Sequence, residues 1–152
     1  MEKISRDGMQ LIGIALPTKT FNANGQSAID CGNHWMTFEK ENVFNRIPSK
    51  INNNVYAVYY DYDGDHTQPY RYFIGCAVEP GTEVPEGLDV LEIPGGDFVK
   101  LTAKGVMPDC VGAAWHNIWQ SDLQRAYRFD FEQYDERSAD WQQVEVDIFL
   151  SV

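Results

Sequence analysis

The residues best equipped for chemistry lie in one stretch, Tyr127-Arg128-Phe129-Asp130-Phe131-Glu132-Gln133-Tyr134, followed by Asp135. Its alternation predicts a β-strand that sends Asp130, Glu132 and Tyr134 to one face and Phe129 and Phe131 to the other. Set among large aromatics, an ionised Glu132 loses hydration and needs a positive partner, strong hydrogen-bond donors or a proton. A carboxylate so held can receive a cation. On alternation alone the plainer assignment is a solvent-facing Glu on an amphipathic strand, since charged side chains are seldom buried unpaired. The surrounding elements decide between the two.

Met9 to Leu16 is an apolar run of strand length stopped by Pro17. From Ser27 to Phe44, the positions Ile29, Trp35, Met36, Phe38 and Val43 recur at roughly helical spacing, which predicts one helix weakened near Gly32. Val55 to Tyr60 and Tyr70 to Val78 predict two strands, with Asp61-Tyr62-Asp63-Gly64-Asp65 turning between them. A loop marked by Pro80, Gly81, Pro85 and Gly87 leads to a short strand, Leu88 to Ile93, and then to the turn Pro94-Gly95-Gly96. Phe98 to Lys104 alternates as a strand, and Met107-Pro108-Asp109 starts a helix carrying Val111, Trp115, Ile118, Trp119 and Leu123. The Glu132 strand and Gln143 to Leu150 complete the chain.

Residues of about 9–79 and 97–152 thus repeat the order β-α-β-β, so the expected class is α+β: one domain built from a duplicated unit with two main helices. Aligning Val58-Tyr59-Tyr60-Asp61 with Glu132-Gln133-Tyr134-Asp135 sets the apolar Val58 against Glu132. One half then supplies charge and the other aromatic wall.

Composition narrows the function. A length of 152 residues suits one domain with a real core, and 43% hydrophobic residues exclude disorder. Four Trp, eight Tyr and eight Phe are enough to line a pocket as well as fill a core. Twelve basic against twenty-three acidic residues give a net charge of −11, a field that repels phosphate backbones and anionic membranes and concentrates cations. Neither direct nucleic-acid binding nor a membrane partner is expected. Cys31, Cys76 and Cys110 are odd in number and scattered, which argues against a disulfide framework or zinc site and fits a reducing cytoplasm. There is no apolar leader or membrane-length apolar run. Asp61 to Asp65 lacks the later Gly and Glu of a calcium loop, and no phosphate-binding glycine loop or nucleophile elbow occurs. No metal or cofactor is implied.

Five stretches together resemble the small-molecule effector-binding domain of AraC-type and MerR-type transcription regulators, the GyrI-like domain. They are Val55 to Asp61 with Gly64, Arg71-Tyr72-Phe73-Ile74-Gly75, Ile93-Pro94-Gly95-Gly96-Asp97-Phe98, the Trp115 to Trp119 helix and Phe131-Glu132-Gln133-Tyr134. The Phe-Glu-x-Tyr element is the most specific. The resemblance implies a central antiparallel sheet with a ligand cleft, lined by aromatics, between two β-α-β-β halves. In multidrug-responsive members a cleft glutamate meets lipophilic cations, and the motif maps that role onto Glu132, with Tyr134 beside it. Phe98 stands where the family has Tyr, and Ser151 where it has Pro, so a hydroxyl and a rigid end are absent. No segment for a helix-turn-helix precedes the first strand, so a free-standing effector domain is expected.

The leading expectation is reversible binding of lipophilic or aromatic organic cations, with Glu132 as the charge and Tyr134, Tyr59, Tyr72, Trp115, Trp119, Trp35 and Phe38 as candidate walls. For the four helical aromatics, Trp35, Phe38, Trp115 and Trp119, core packing is the plainer reading. Two other classes stay open. A Glu of raised pKa beside a Tyr could serve acid–base chemistry, as in GyrI-like hydrolases of electrophilic small molecules. A protein-binding regulatory module, gyrase-inhibitor-like or half of a split regulator, could use the acidic surface, and exposed aromatics could support a homodimer.

Overall fold

The computed structural model describes residues 1–152. Eight strands form one antiparallel sheet: β1 Glu2–Arg6, β2 Met9–Ala15, β3 Val55–Tyr60, β4 Arg71–Val78, β5 Asp89–Ile93, β6 Gly96–Gly105, β7 Phe129–Tyr134 and β8 Val144–Ser151. Their order is β1-β6-β8-β7-β3-β4-β2-β5. Three helices accompany them, α1 Gln26–Lys40, α2 Val43–Arg46 and α3 Asp109–Trp119. The α+β class and the repeated β-α-β-β order are both present, as β2-α1-β3-β4 and β6-α3-β7-β8. The sheet reads β6-β8-β7 outward-in on one side and β2-β4-β3 on the other, so the two halves meet at the β3–β7 ladder.

That ladder sets the geometry of the site. Val55, Ala57 and Tyr59 pair with Tyr134, Glu132 and Asp130 respectively. Because side chains alternate, these six share one face, and Val58 and Phe131 pack together on the other. The alignment of Val58 with Glu132 is therefore corrected by one residue, a shift that flips every side chain across the sheet. Ala57 is the counterpart of Glu132, as Tyr59 is of Tyr134. Ala57 and Glu132 are also paired with each other, which puts them on the approximate two-fold axis relating the halves.

The face holding Val58 needs no helix to cover it. Strand β1 runs into β2 through Asp7-Gly8, and β5 runs into β6 through Pro94-Gly95, while β1 pairs with β6 and β2 with β5. Two bent strands thus join the ends of the sheet and curl it around Leu11, Tyr56, Phe73, Phe131 and Phe149. The bends touch: a Cβ on Gly8 would lie 2.8 Å from the Ile93 carbonyl oxygen, so only glycine allows this approach. The polar start of the chain is itself strand β1. Its single apolar residue, Ile4, packs inside the curl, and a lone apolar side chain leaves no periodic signal.

On the opposite face α1 and α3 lie over separate clusters, one around Phe38, Ile12 and Ile74, the other around Trp115, Val146 and Ile148. The single helix expected from Ser27 to Phe44 is two. The break falls at Asn42, whose left-handed φ of 52° ends α1, and Gly32 sits inside an unbroken helix. The inward face of α1 carries Cys31, His34, Trp35 and Phe38, whereas Ile29 and Met36 are exposed.

Candidate ligand-binding cavity

Between α1 and α3, above the β3–β7 ladder, lies a cavity of about 1180 Å³. Its floor is the shared face of the two central strands. Glu132 is 2% exposed and surrounded by neutral donors. Tyr134 Oη donates to Oε1 at 2.5 Å, and Tyr59 Oη and the Trp115 indole Nε1 each donate to Oε2 at 2.6 Å. No Lys, Arg or His forms an ion pair with it. Burial raises the Glu132 pKa, and the bonds from Tyr134, Tyr59 and Trp115 oppose that rise without cancelling it. Burial first, and then the nearby Glu132, push the phenols of Tyr59 and Tyr134 well above their ordinary value, so both remain donors.

The walls repeat across the two-fold. Trp35 of α1 meets Tyr134 of the other half edge-on at 5.0 Å between ring centroids, and Trp115 of α3 meets Tyr59 at 4.9 Å. Trp35 also donates its indole N–H to Tyr72 Oη at 2.8 Å. Each helix has a glycine three residues before its tryptophan, Gly32 and Gly112. Both line the cavity, and a Cβ added at either would meet nothing within 4 Å. Mid-helix glycine costs about 1 kcal/mol relative to alanine. Here it keeps the space between the helices open.

Of the sequence candidates, Glu132, Tyr134, Tyr59 and Tyr72 line the cavity, as do Trp35, Trp115 and Trp119. Phe38 does not. It is 2% exposed and packs beneath Trp35 in the α1 core, so its role as a wall is corrected to core packing. Trp141, outside any regular element, also lines the cavity, so all four tryptophans of the chain surround it. The strap bearing Trp141 is tied down by the Met107 N–H donating to the Trp141 carbonyl.

A second buried carboxylate went unassigned. Asp130 shares the Glu132 face, as the alternation already implied, and is fully buried. It accepts from Arg125 Nη2 at 2.8 Å, Tyr62 Oη at 2.7 Å, and the Ser151 N–H and Oγ at 2.7 and 3.0 Å. Ser151 therefore supplies a backbone donor that Pro lacks. Phe98 lies within the curl of the sheet, away from the cavity, so its missing hydroxyl does not alter this site. Arg125, in the loop before β7, had no sequence signal beyond its charge.

A curled antiparallel sheet with two helices flanking an aromatic cavity over a buried carboxylate defines a small-molecule effector-binding domain, as the GyrI-like resemblance implied. The family model of Cass2, the integron-associated effector binding protein, matches residues 4–152, and the chain belongs to that family. An integron cassette protein from the mobile metagenome of Vibrio cholerae is similar in fold, with a TM-score of 0.75 and 24% identity over 99% of this chain and 94% of that one. The structure of SAV2435 bound to tetraphenylphosphonium aligns with a TM-score of 0.77 and 14% identity over 98% of this chain and 91% of that one. YobU of Bacillus subtilis (strain 168), whose name suggests a transcriptional regulator, is 24% identical over 102 residues, spanning 65% of this chain and 64% of its own length. No helix is long and apolar enough to cross a membrane.

Proposed function

We propose that the cavity binds lipophilic aromatic cations and that Glu132 is their counter-charge. One observation carries the reading: a carboxylate at the centre of an aromatic cavity, stabilised by three neutral donors and by no cation. Neutral donors lower the cost of ionising Glu132 but leave its charge uncancelled, so a cation gains a long-ranged attraction at low local dielectric. The ring faces add cation–π attraction of about 0.5–2 kcal/mol each, depending on desolvation. Flat apolar contact supplies affinity indifferent to detailed shape. The fold relative bound to tetraphenylphosphonium supports this ligand class.

The test is a charge-reversed pair of equal shape. Tetraphenylphosphonium is expected to quench the tryptophan fluorescence saturably, and tetraphenylborate to bind at least tenfold more weakly. Trp35, Trp115 and Trp119 report from the cavity wall, while Trp141, 60% exposed at its edge, adds a solvent-exposed background that the tetraphenylborate titration controls for. Equal or tighter binding of the borate, or no binding of the phosphonium, refutes the reading.

A further inference from the structure

We infer that Arg125 is a second recognition pole of this cavity, which suits it to zwitterionic aromatic ligands carrying a hydrogen-bond acceptor as well as a cationic centre. The inference rests on the cation-binding reading and adds a ligand class to it. The Arg125 side chain is only 3% exposed and lines the cavity. A guanidinium has five N–H donors. Nη2 serves Asp130, whereas Nε and Nη1 are buried without any partner. With Arg125 Nη2, Tyr62 and the two Ser151 donors, Asp130 already accepts four hydrogen bonds, so it has no lone pair left for the remaining donors.

Buried donors left unpaired are costly, and protein structures rarely retain them without cause. The rings of Tyr127 and Trp115 stand 4.3 and 5.7 Å from the Arg125 Cζ and attract its charge, yet they give its N–H groups no lone pair. Trp115 also fixes where this pole sits. Its indole N–H meets Glu132 while its ring faces Arg125, so an acidic and a basic group flank one side chain. A ligand lying against Trp115 can place a cation toward Glu132 and a carboxylate, sulfonate or carbonyl toward Nε and Nη1. Both nitrogens are covered in this structure, so a ligand reaches them only by displacing what covers them.

Rhodamine B and its ethyl ester test this directly. They share one cationic ring system, and only the former has a free carboxylate. Dye anisotropy titrations on the wild type are expected to show rhodamine B binding about tenfold or more tightly than the ester. The double variant Arg125→Met/Asp130→Asn removes the pole without leaving a buried charge, and it should abolish that preference while still binding the ester. Arg125→Lys should keep part of it. Equal or tighter binding of the ester by the wild type overturns the inference and leaves the cation reading standing. So does a preference that survives in the double variant. Binding of neither dye overturns both. A purely structural Arg125 would shift both dyes together, and circular dichroism confirms that each variant is folded.

Discussion

Replacing Glu132 by Gln removes a charge while keeping the side-chain shape. Gln retains an oxygen for the Trp115 N–H, and its amide can donate to Tyr134 once that hydroxyl turns. At about 4 Å and an effective dielectric of about 20, a unit charge pair is worth about 4 kcal/mol. Stripping water from the ligand cation offsets roughly half of that, leaving about 2 kcal/mol, or about 30-fold in Kd. The ring contacts persist in the variant, so residual binding of tetraphenylphosphonium is expected rather than none. Isothermal titration calorimetry beside tryptophan quenching measures it, with tetraphenylborate as the shape control. Its affinity should hold or improve once the repelling charge is gone. Two results refute the reasoning: phosphonium affinity within twofold of wild type, or an equal loss for both ions, which would mark a change of cavity shape rather than of charge.

Three further outcomes follow from the same geometry. Burial holds the Glu132 pKa above its ordinary value of 4.5, so a proton competes with the cation. Cation affinity should fall as pH drops through the raised value, and titrations in buffers of different ionisation enthalpy should detect proton release; a flat profile from pH 4 to 8 would exclude the linkage. Stability runs the other way, since folding favours the neutral acid: the Glu132 contribution is fully present below pH 4.5 and is lost as pH rises through the folded pKa. Subtracting the urea-denaturation profile of Glu132→Gln isolates it from Asp135 and Asp147, whose pKa values are lowered and whose contributions fade toward acid. Phe38→Ala should cost about 3–5 kcal/mol of stability, as for other buried phenylalanines, and leave phosphonium affinity of the folded protein within about threefold. A tenfold loss of affinity would return Phe38 to the cavity wall.

Where periodicity carried the information, the chain was readable. Alternation set Asp130, Glu132 and Tyr134 on one face, and the β-rich runs became β3 and β4 nearly as expected. What failed depended on contacts distant in sequence. Trp35 and Phe38 are both apolar at helical spacing, and only their tertiary contacts decide that one meets the cavity while the other meets the core. The end of α1 depends on one left-handed Asn, which propensity does not reveal. Arg125 and Trp141 lie in irregular segments, where no period exists to assign a face. One signal was present in the residues themselves: Gly-x-x-Trp occurs at Gly32 to Trp35 and again at Gly112 to Trp115, marking equivalent positions in the two halves.

The face that holds Glu132 contains its own control. Two residues away, Asp130 is equally buried and equally well hydrogen-bonded, but one of its donors is the Arg125 guanidinium. That pair is neutral overall, and its attraction for a cation is largely spent. Glu132 has a tyrosine from each half and a tryptophan in place of the arginine. Those donors carry dipoles and no charge, so the carboxylate field still reaches the cavity. Glu132 also lies on the approximate two-fold, opposite Ala57, whose small side chain leaves room for the walls of both halves to converge above the carboxylate. The duplicated architecture thus contributes two similar aromatic walls, with the Glu132 carboxylate on the floor between them. On the proposed function, such a cavity is expected to select by sign at Glu132 more sharply than by outline, with Arg125 adding a second point of recognition.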